Sequence, residues 1–197
     1  HIILGITGGI AAYKSAELTR RLRDAGAQVR VVMTHGATGF VTPLTFQALS
    51  ANPVHTELLD EAAEAGMGHI ELARWADAIL IAPASANCMA KLAQGRADDL
   101  LTTLCLASEA PLALAPAMNH VMWSDAATQD NSGILQQRGV HLFGPASGSQ
   151  ACGETGEGRM LDVPELIDAL SGLFKSGVLQ DINVLITAGP TREPIDP

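Results

Sequence analysis

IILGITGGIAAYKSAELTRRLRDAGAQVRVVMT, residues 2–34, carries the pattern on which the fold turns. Ile2 to Thr7 is a short apolar run that closes on Gly8-Gly9. From Ile10 to Asp24 the spacing becomes helical: Leu18 and Leu22 stand four apart, and Gly26 offers a C-terminal stop. Val29 to Thr34 is a second apolar run. Strand, helix and strand in this order predict a βαβ unit. Its strands, covered on both faces, need no polar alternation.

The same alternation continues outward. A helix is predicted over 43–50, opening at Pro43, and another over 69–76 after Gly66-Met67-Gly68. Residues 78–82 read as a strand ending at Pro83, followed by helices over 86–94 and 98–107. Then come a strand at 112–115, a helix over 120–138 ending near Gly139, a strand at 140–143 and a helix over 163–175. The prediction is an α/β three-layer sandwich on a Rossmann-like (flavodoxin-like) parallel sheet. Ligands of such sheets bind beyond the carboxyl ends of the strands.

Two segments depart from this alternation. Residues 144–160, GPASGSQACGETGEGRM, lack periodicity and predict a long mobile loop of the kind that carries function. Residues 182–187, INVLIT, followed by Ala188-Gly189-Pro190, read as the opening strand of a further domain. The expected division is therefore a domain over 1–178 and, over 179–197, a linker with the start of a truncated second domain.

Composition narrows the function. With 47% hydrophobic and 17% charged residues the chain can bury a sizeable core. A net charge of -9 argues against a nucleic-acid partner. Asp77 and Glu109 interrupt the longest apolar stretches before they reach the ~18 residues of a membrane span. No charged segment precedes Ile2, so a cytoplasmic protein without a membrane partner is expected. Cys88, Cys105 and Cys152 form no CxxC pair, so neither a disulfide framework nor a metal site is expected.

Gly8, Gly9 and Ile10 sit between a strand and a helix, where bare backbone amides suit a phosphate. A tight strand-to-helix turn explains the same glycines equally well. The spacing G-x-G-x-x-G is absent, and the second strand ends in Val32-Met33-Thr34 with no ribose-binding acid. A mononucleotide, its phosphate near the Thr34 hydroxyl, fits better than the dinucleotide of an NAD-dependent dehydrogenase.

Five segments occur in order: GGIAAYK (8–14), GHIEL (68–72), PASAN (83–87), PAMNHVMW (116–123) and SGSQACGETGEGRM (147–160). Together they resemble the homo-oligomeric flavin-containing cysteine decarboxylase family over essentially the whole chain. Within it they are similar to the bacterial branch that fuses a phosphopantothenoylcysteine decarboxylase to a phosphopantothenate-cysteine ligase. The tail ITAGPTREPIDP (186–197) resembles the opening of that ligase, to which CTP and magnesium would belong.

The resemblance implies FMN as cofactor, with contacts at Gly8, Gly9, Ile10, Thr34, Phe40, Ser85, Ala86, Asn87 and Cys88, and Met118 against the flavin ring. It implies His69 as the catalytic acid-base residue, although a lone histidine there also reads as a surface or capping residue. The start of a helix favours a neutral imidazole. Asn119 would bind the substrate carboxylate, with Met122 beside it. An asparagine in that place is equally a helix N-cap. Cys152 would line the substrate site and donate a proton, whereas Cys88 and Cys105 read as packing residues. His35, His55, His120 and His141 read as structural. The chain departs from the family pattern at Cys88, where many members have threonine, and at Asp98, where relatives often carry asparagine.

The implied reaction converts 4'-phosphopantothenoylcysteine to 4'-phosphopantetheine in coenzyme A biosynthesis, through a thioaldehyde and an enethiolate. The family also implies a homotrimer assembling into a homododecamer, with the active site at a subunit interface. Peptidyl-cysteine decarboxylation, flavin prenylation and a non-catalytic flavin-binding regulatory role are the neighbouring possibilities.

Overall fold

A computed structural model of the protein describes residues 1–58, 68–151 and 153–174. The first turn of the chain runs β1 (Ile2–Ile6), α1 (Ala12–Asp24), β2 (Val29–Met33), α2 (His35–Thr38), α3 (Pro43–Ser50) and β3 (Val54–His55). It continues as α4 (Gly68–Trp75), β4 (Ala78–Ala84), α5 (Ala86–Gln94), α6 (Leu100–Ala107) and β5 (Leu112–Pro116). The remainder is α7 (His120–Ser124), α8 (Ala126–Gln137), β6 (His141–Leu142), β7 (Ala146–Ser149), β8 (Thr155–Arg159) and α9 (Val163–Gly172).

Six strands form a parallel sheet in the order β3-β2-β1-β4-β5-β6. The order reverses between β1 and β4, and a crevice is expected at that reversal. Alternate residues of each strand feed two separate cores. Ile2, Leu4 and Ile6 pack with Leu18, Phe46 and Leu166, from α1, α3 and α9. Ile3, Ile79 and Ile81 pack with Leu72, Met89, Leu101 and Leu135, from α4, α5, α6 and α8. β1 and β4 are buried along their entire length, which is why their sequences show no alternation.

The predicted elements recur with three differences. The helix expected over 120–138 is two helices, because Asp125 takes an extended backbone and its carboxylate accepts from the Ala127 N–H at 2.9 Å. An N-cap thus restarts the helix inside a continuous helical pattern. α2 and β3 are too short to leave a periodic signal. The third difference is residues 144–160, expected as a mobile loop and found instead to contain an antiparallel hairpin, β7 with β8. Only Gly158 of its strands is buried, so the apolar period that identifies other strands is missing. The expected tail strand at 182–187 lies outside the described residues.

Candidate functional site

At the sheet reversal the loops leaving β1 and β4 are stitched together. The Thr7 hydroxyl donates to the Pro83 carbonyl at 2.7 Å and accepts from the Ser85 N–H at 2.9 Å. Ser15, one turn into α1, donates to the Ala82 carbonyl at 2.6 Å. Both hydroxyls are buried, so each bond is protected from water and costly to break.

The two glycines of the first loop differ. A side-chain carbon on Gly8 would lie 3.0 Å from the Gly36 carbonyl carbon and oxygen, so α2 crowds it. One on Gly9 would meet nothing within 4 Å. Protein packing therefore demands glycine at position 8, while position 9 leaves a bare backbone facing open space.

That space belongs to a cavity of about 590 Å³, within the ~300–1,000 Å³ typical of small-molecule and cofactor sites. One wall is the Gly8-Gly9-Ile10 turn with Ser85 and Ala86 at the start of α5. A second is Met118, Asn119 and Met122, from the end of β5 and from α7. The third is the hairpin, through Ser149, Gln150, Gly158 and Arg159. The hairpin is held against the second wall by the Met118 N–H, which donates to the Gly158 carbonyl at 2.9 Å. Any side-chain carbon on Gly158 would come within 2.4 Å of the Met118 carbonyl oxygen.

Gly8, Gly9, Ile10, Ser85, Ala86, Met118, Asn119 and Met122 are thus brought together. Other sequence candidates stand apart from the cavity wall. Thr34 caps the end of β2, where its N–H donates to the Ile6 carbonyl at 3.0 Å. Phe40 and Asn87 are exposed. Cys88 is on the buried face of α5, where burial pushes its thiol up to about 12, and burial likewise raises Cys105. His69 occupies the first turn of α4, on the side of the sheet that packs against α6, and does not line the cavity of one chain. Cys152 lies outside the described residues.

Asn119 takes the N-cap position anticipated for it and lines the cavity as well. Its oxygen caps α7 by accepting from the Val121 N–H at 2.9 Å, and its amide nitrogen turns towards the hairpin, donating to Gln150 at 3.3 Å and Glu154 at 2.6 Å. Sequence reasoning missed Thr7, Lys14, Gln150 and Arg159. Lys14 and Arg159 line the cavity and share the carboxylate of Asp162, at 2.8 Å each. Lys14, and then Arg159, hold the Asp162 carboxyl below the usual carboxylate range. A lysine in the first turn of a helix, which the helix dipole disfavours, was the signal available for Lys14.

Among the described residues no cluster of His, Cys, Asp or Glu is arranged to hold a metal ion, and no helix is long and apolar enough to cross a membrane. The model of the Flavoprotein family matches residues 1–175. The coenzyme A biosynthesis bifunctional protein CoaBC of Vibrio vulnificus strain YJ016 is 58% identical over 196 residues, covering 100% of this chain and 49% of the relative. This chain therefore spans about half the length of the curated relatives it matches. Among solved structures, a PPC decarboxylase mutant complexed with pantothenoylaminoethenethiol superposes with a TM-score of 0.78 at 30% identity, covering 89% of this chain and 98% of that one. The FMN-dependent cysteine decarboxylase SpaF superposes with a TM-score of 0.72 at 32% identity, covering 86% and 97%.

Proposed function

The chain belongs to the flavoprotein family, and from that premise we propose that it is an FMN-dependent decarboxylase converting 4'-phosphopantothenoylcysteine to 4'-phosphopantetheine. The observation that carries this reading is one cavity that joins a bare glycine turn to a fixed asparagine amide. The turn at Gly9 offers open backbone for a flavin phosphate, and Ser85 and Ala86 would line its path towards Met118. A bound flavin would supply a reversible two-electron sink: the two electrons withdrawn as the substrate thiol is oxidised to a thioaldehyde would be returned, with protons, to the enethiolate that remains after carbon dioxide leaves.

The residues of the chain bind and orient. Asn119 meets the substrate carboxylate with an amide rather than a cation, which grips a group that must depart less firmly. Met118 and Met122 give the reacting end an apolar wall. His69 is assigned the acid-base role and Cys152 the final proton donation. Because His69 does not line this chain's own cavity, a neighbouring copy would supply it, in keeping with a trimer that assembles further into a dodecamer. Exposed Ile10, Tyr13, Val121 and Met122 give that copy an apolar surface to cover. Residues 179–197 would begin the ligase half, with CTP and magnesium acting there, in a cytoplasmic protein.

An absorbance spectrum of the purified protein, followed by incubation with 4'-phosphopantothenoylcysteine and mass analysis, tests the reading. A yellow protein and a product lighter by one carbon dioxide are expected. A yellow protein inert towards this substrate would transfer the assignment to peptidyl-cysteine decarboxylation or a regulatory role. Failure to bind FMN after reconstitution would overturn it.

A further inference from the structure

The amide of Asn119 is oriented by groups whose own donor or acceptor character is beyond ambiguity. The Val121 N–H can only donate, so the atom 2.9 Å from it is the Asn119 oxygen. Gln150 is fixed in the same way. Its nitrogen donates to the backbone carbonyls of Glu157 at 3.2 Å and Met118 at 3.4 Å, while its oxygen accepts from the His120 N–H at 3.1 Å. The Gln150 oxygen therefore faces Asn119, whose nitrogen donates to it at 3.3 Å. Turning the Asn119 amide over would set oxygen against oxygen and lose the α7 cap.

That nitrogen already donates to a carboxylate. Glu154, at the turn end of the hairpin, places one oxygen 2.6 Å from Asn119 Nδ2. The same oxygen lies 3.3 Å from His120 Nδ1, and the His120 ring is pressed against Gly156 of β8. Glu154 is half-exposed and belongs to the turn of the hairpin.

We propose that Gln150 and Glu154 are positioning residues of the carboxylate site: Gln150 sets the amide nitrogen of Asn119 as the presented end, and Glu154 is the resident carboxylate with which the substrate carboxylate competes. This inference rests on the reading of Asn119 given above. A substrate carboxylate either displaces Glu154 from the nitrogen or lies beside it, and in both cases like charge opposes binding. The reaction product carries no carboxylate and does not enter this competition. Glu154 thereby weakens the enzyme's hold on substrate relative to product.

The test uses the flavin-loaded oligomer and measures dissociation constants for 4'-phosphopantothenoylcysteine, under conditions that prevent turnover, and for 4'-phosphopantetheine. Glu154→Gln is expected to tighten the substrate about two- to fivefold, the scale of one partly exposed charge contact, and to leave the product within about 1.5-fold. Glu154→Ala guards against a glutamine that keeps the contact through its own amide oxygen. Equal changes for both ligands, no change in either variant, or weaker substrate binding would overturn the inference. Gln150→Glu, which cannot donate to the two carbonyls, is expected to weaken the substrate more than the product; an equal loss would count against the orienting role. Wild-type turnover separates the two readings. Without it the functional assignment falls and takes this inference with it, whereas turnover together with equal changes in both ligands defeats this inference alone.

Discussion

The two sides of the cavity are built from different materials. The sheet side, where β1 and β4 end, is tied by the buried hydroxyls of Thr7 and Ser15 and backed by strands buried on both faces. The hairpin side is a two-stranded ribbon, mostly exposed, attached through glycine contacts and the exposed or half-buried side chains of Gln150, Glu154 and Arg159. A short hairpin is marginal by itself and takes its shape from what it leans on. Under the proposed function, the sheet side would hold the cofactor and the hairpin side would adjust around the substrate.

The sharpest way to break this contrast is at the crowded glycine. Gly8→Val would drive a side chain into the Gly36 backbone, so the turn must move. Loss of stability of about 1–3 kcal/mol, the usual cost of overpacking, is expected together with loss of bound flavin. Thermal melting and the flavin absorbance report the two effects. Gly9→Ala, with open space around it, should leave melting of the flavin-free protein unchanged and lower flavin occupancy only. Equal destabilisation by both substitutions would erase the distinction between the two glycines.

Thr7→Val removes two buried bonds while keeping the shape of the side chain. Leaving the Pro83 carbonyl and the Ser85 N–H without this partner should cost about 1–3 kcal/mol in denaturant unfolding. A change within error would mean that the two loops are held by packing rather than by the hydroxyl.

On the opposite side, Gly158→Ala combines a close contact with a φ of +127°, which disfavours any side chain. Its effect should be local: proteolysis within 146–159 accelerates, while the global melting temperature falls by only a few degrees. A collapse of global stability would show that the hairpin belongs to the rigid half.

The smallest effect is expected at the junction of the two sides. The folded-state pKa of Asp162 is depressed, first by its bond from Lys14, so its contribution is present above the ordinary carboxylate range and is lost as pH falls below that range towards the lowered folded-state value. Asp162→Asn should lower stability slightly at neutral pH and converge with the parent protein below about pH 4, which flattens the acid limb of a stability-versus-pH curve. An unchanged acid limb would sink the linkage.

How much was legible beforehand follows from the same contrast. β1, β2 and β4 were readable because nearly all their residues are buried and apolar, and α1 because Leu18 and Leu22 repeat at helical spacing on its buried face. The hairpin was not, since its pairing runs through backbone groups and its glycines are selected by the Met118 and His120 surfaces, which are distant in sequence. The break at Asp125 was hidden because an apolar period does not register a cap. In the site, Asn119 and Ser85 were visible as polar residues just past strand ends. Thr7, Lys14, Gln150 and Arg159 look ordinary until the loops that carry them converge.

Local periodicity alone determined the βαβ order and the ends of the strands from which a ligand site must grow, because each buried strand or helix face is a property of neighbouring residues. The family's motifs added candidate chemistry at His69, Asn119 and Cys152. Tertiary structure alone decided that Gly8 is required by packing and Gly9 is not, that Cys88 lies in the core, and that His69 stands outside one chain's cavity. It also placed Glu154 on the amide of Asn119. These are relations between residues remote along the chain, set by which surfaces the closed fold presses together.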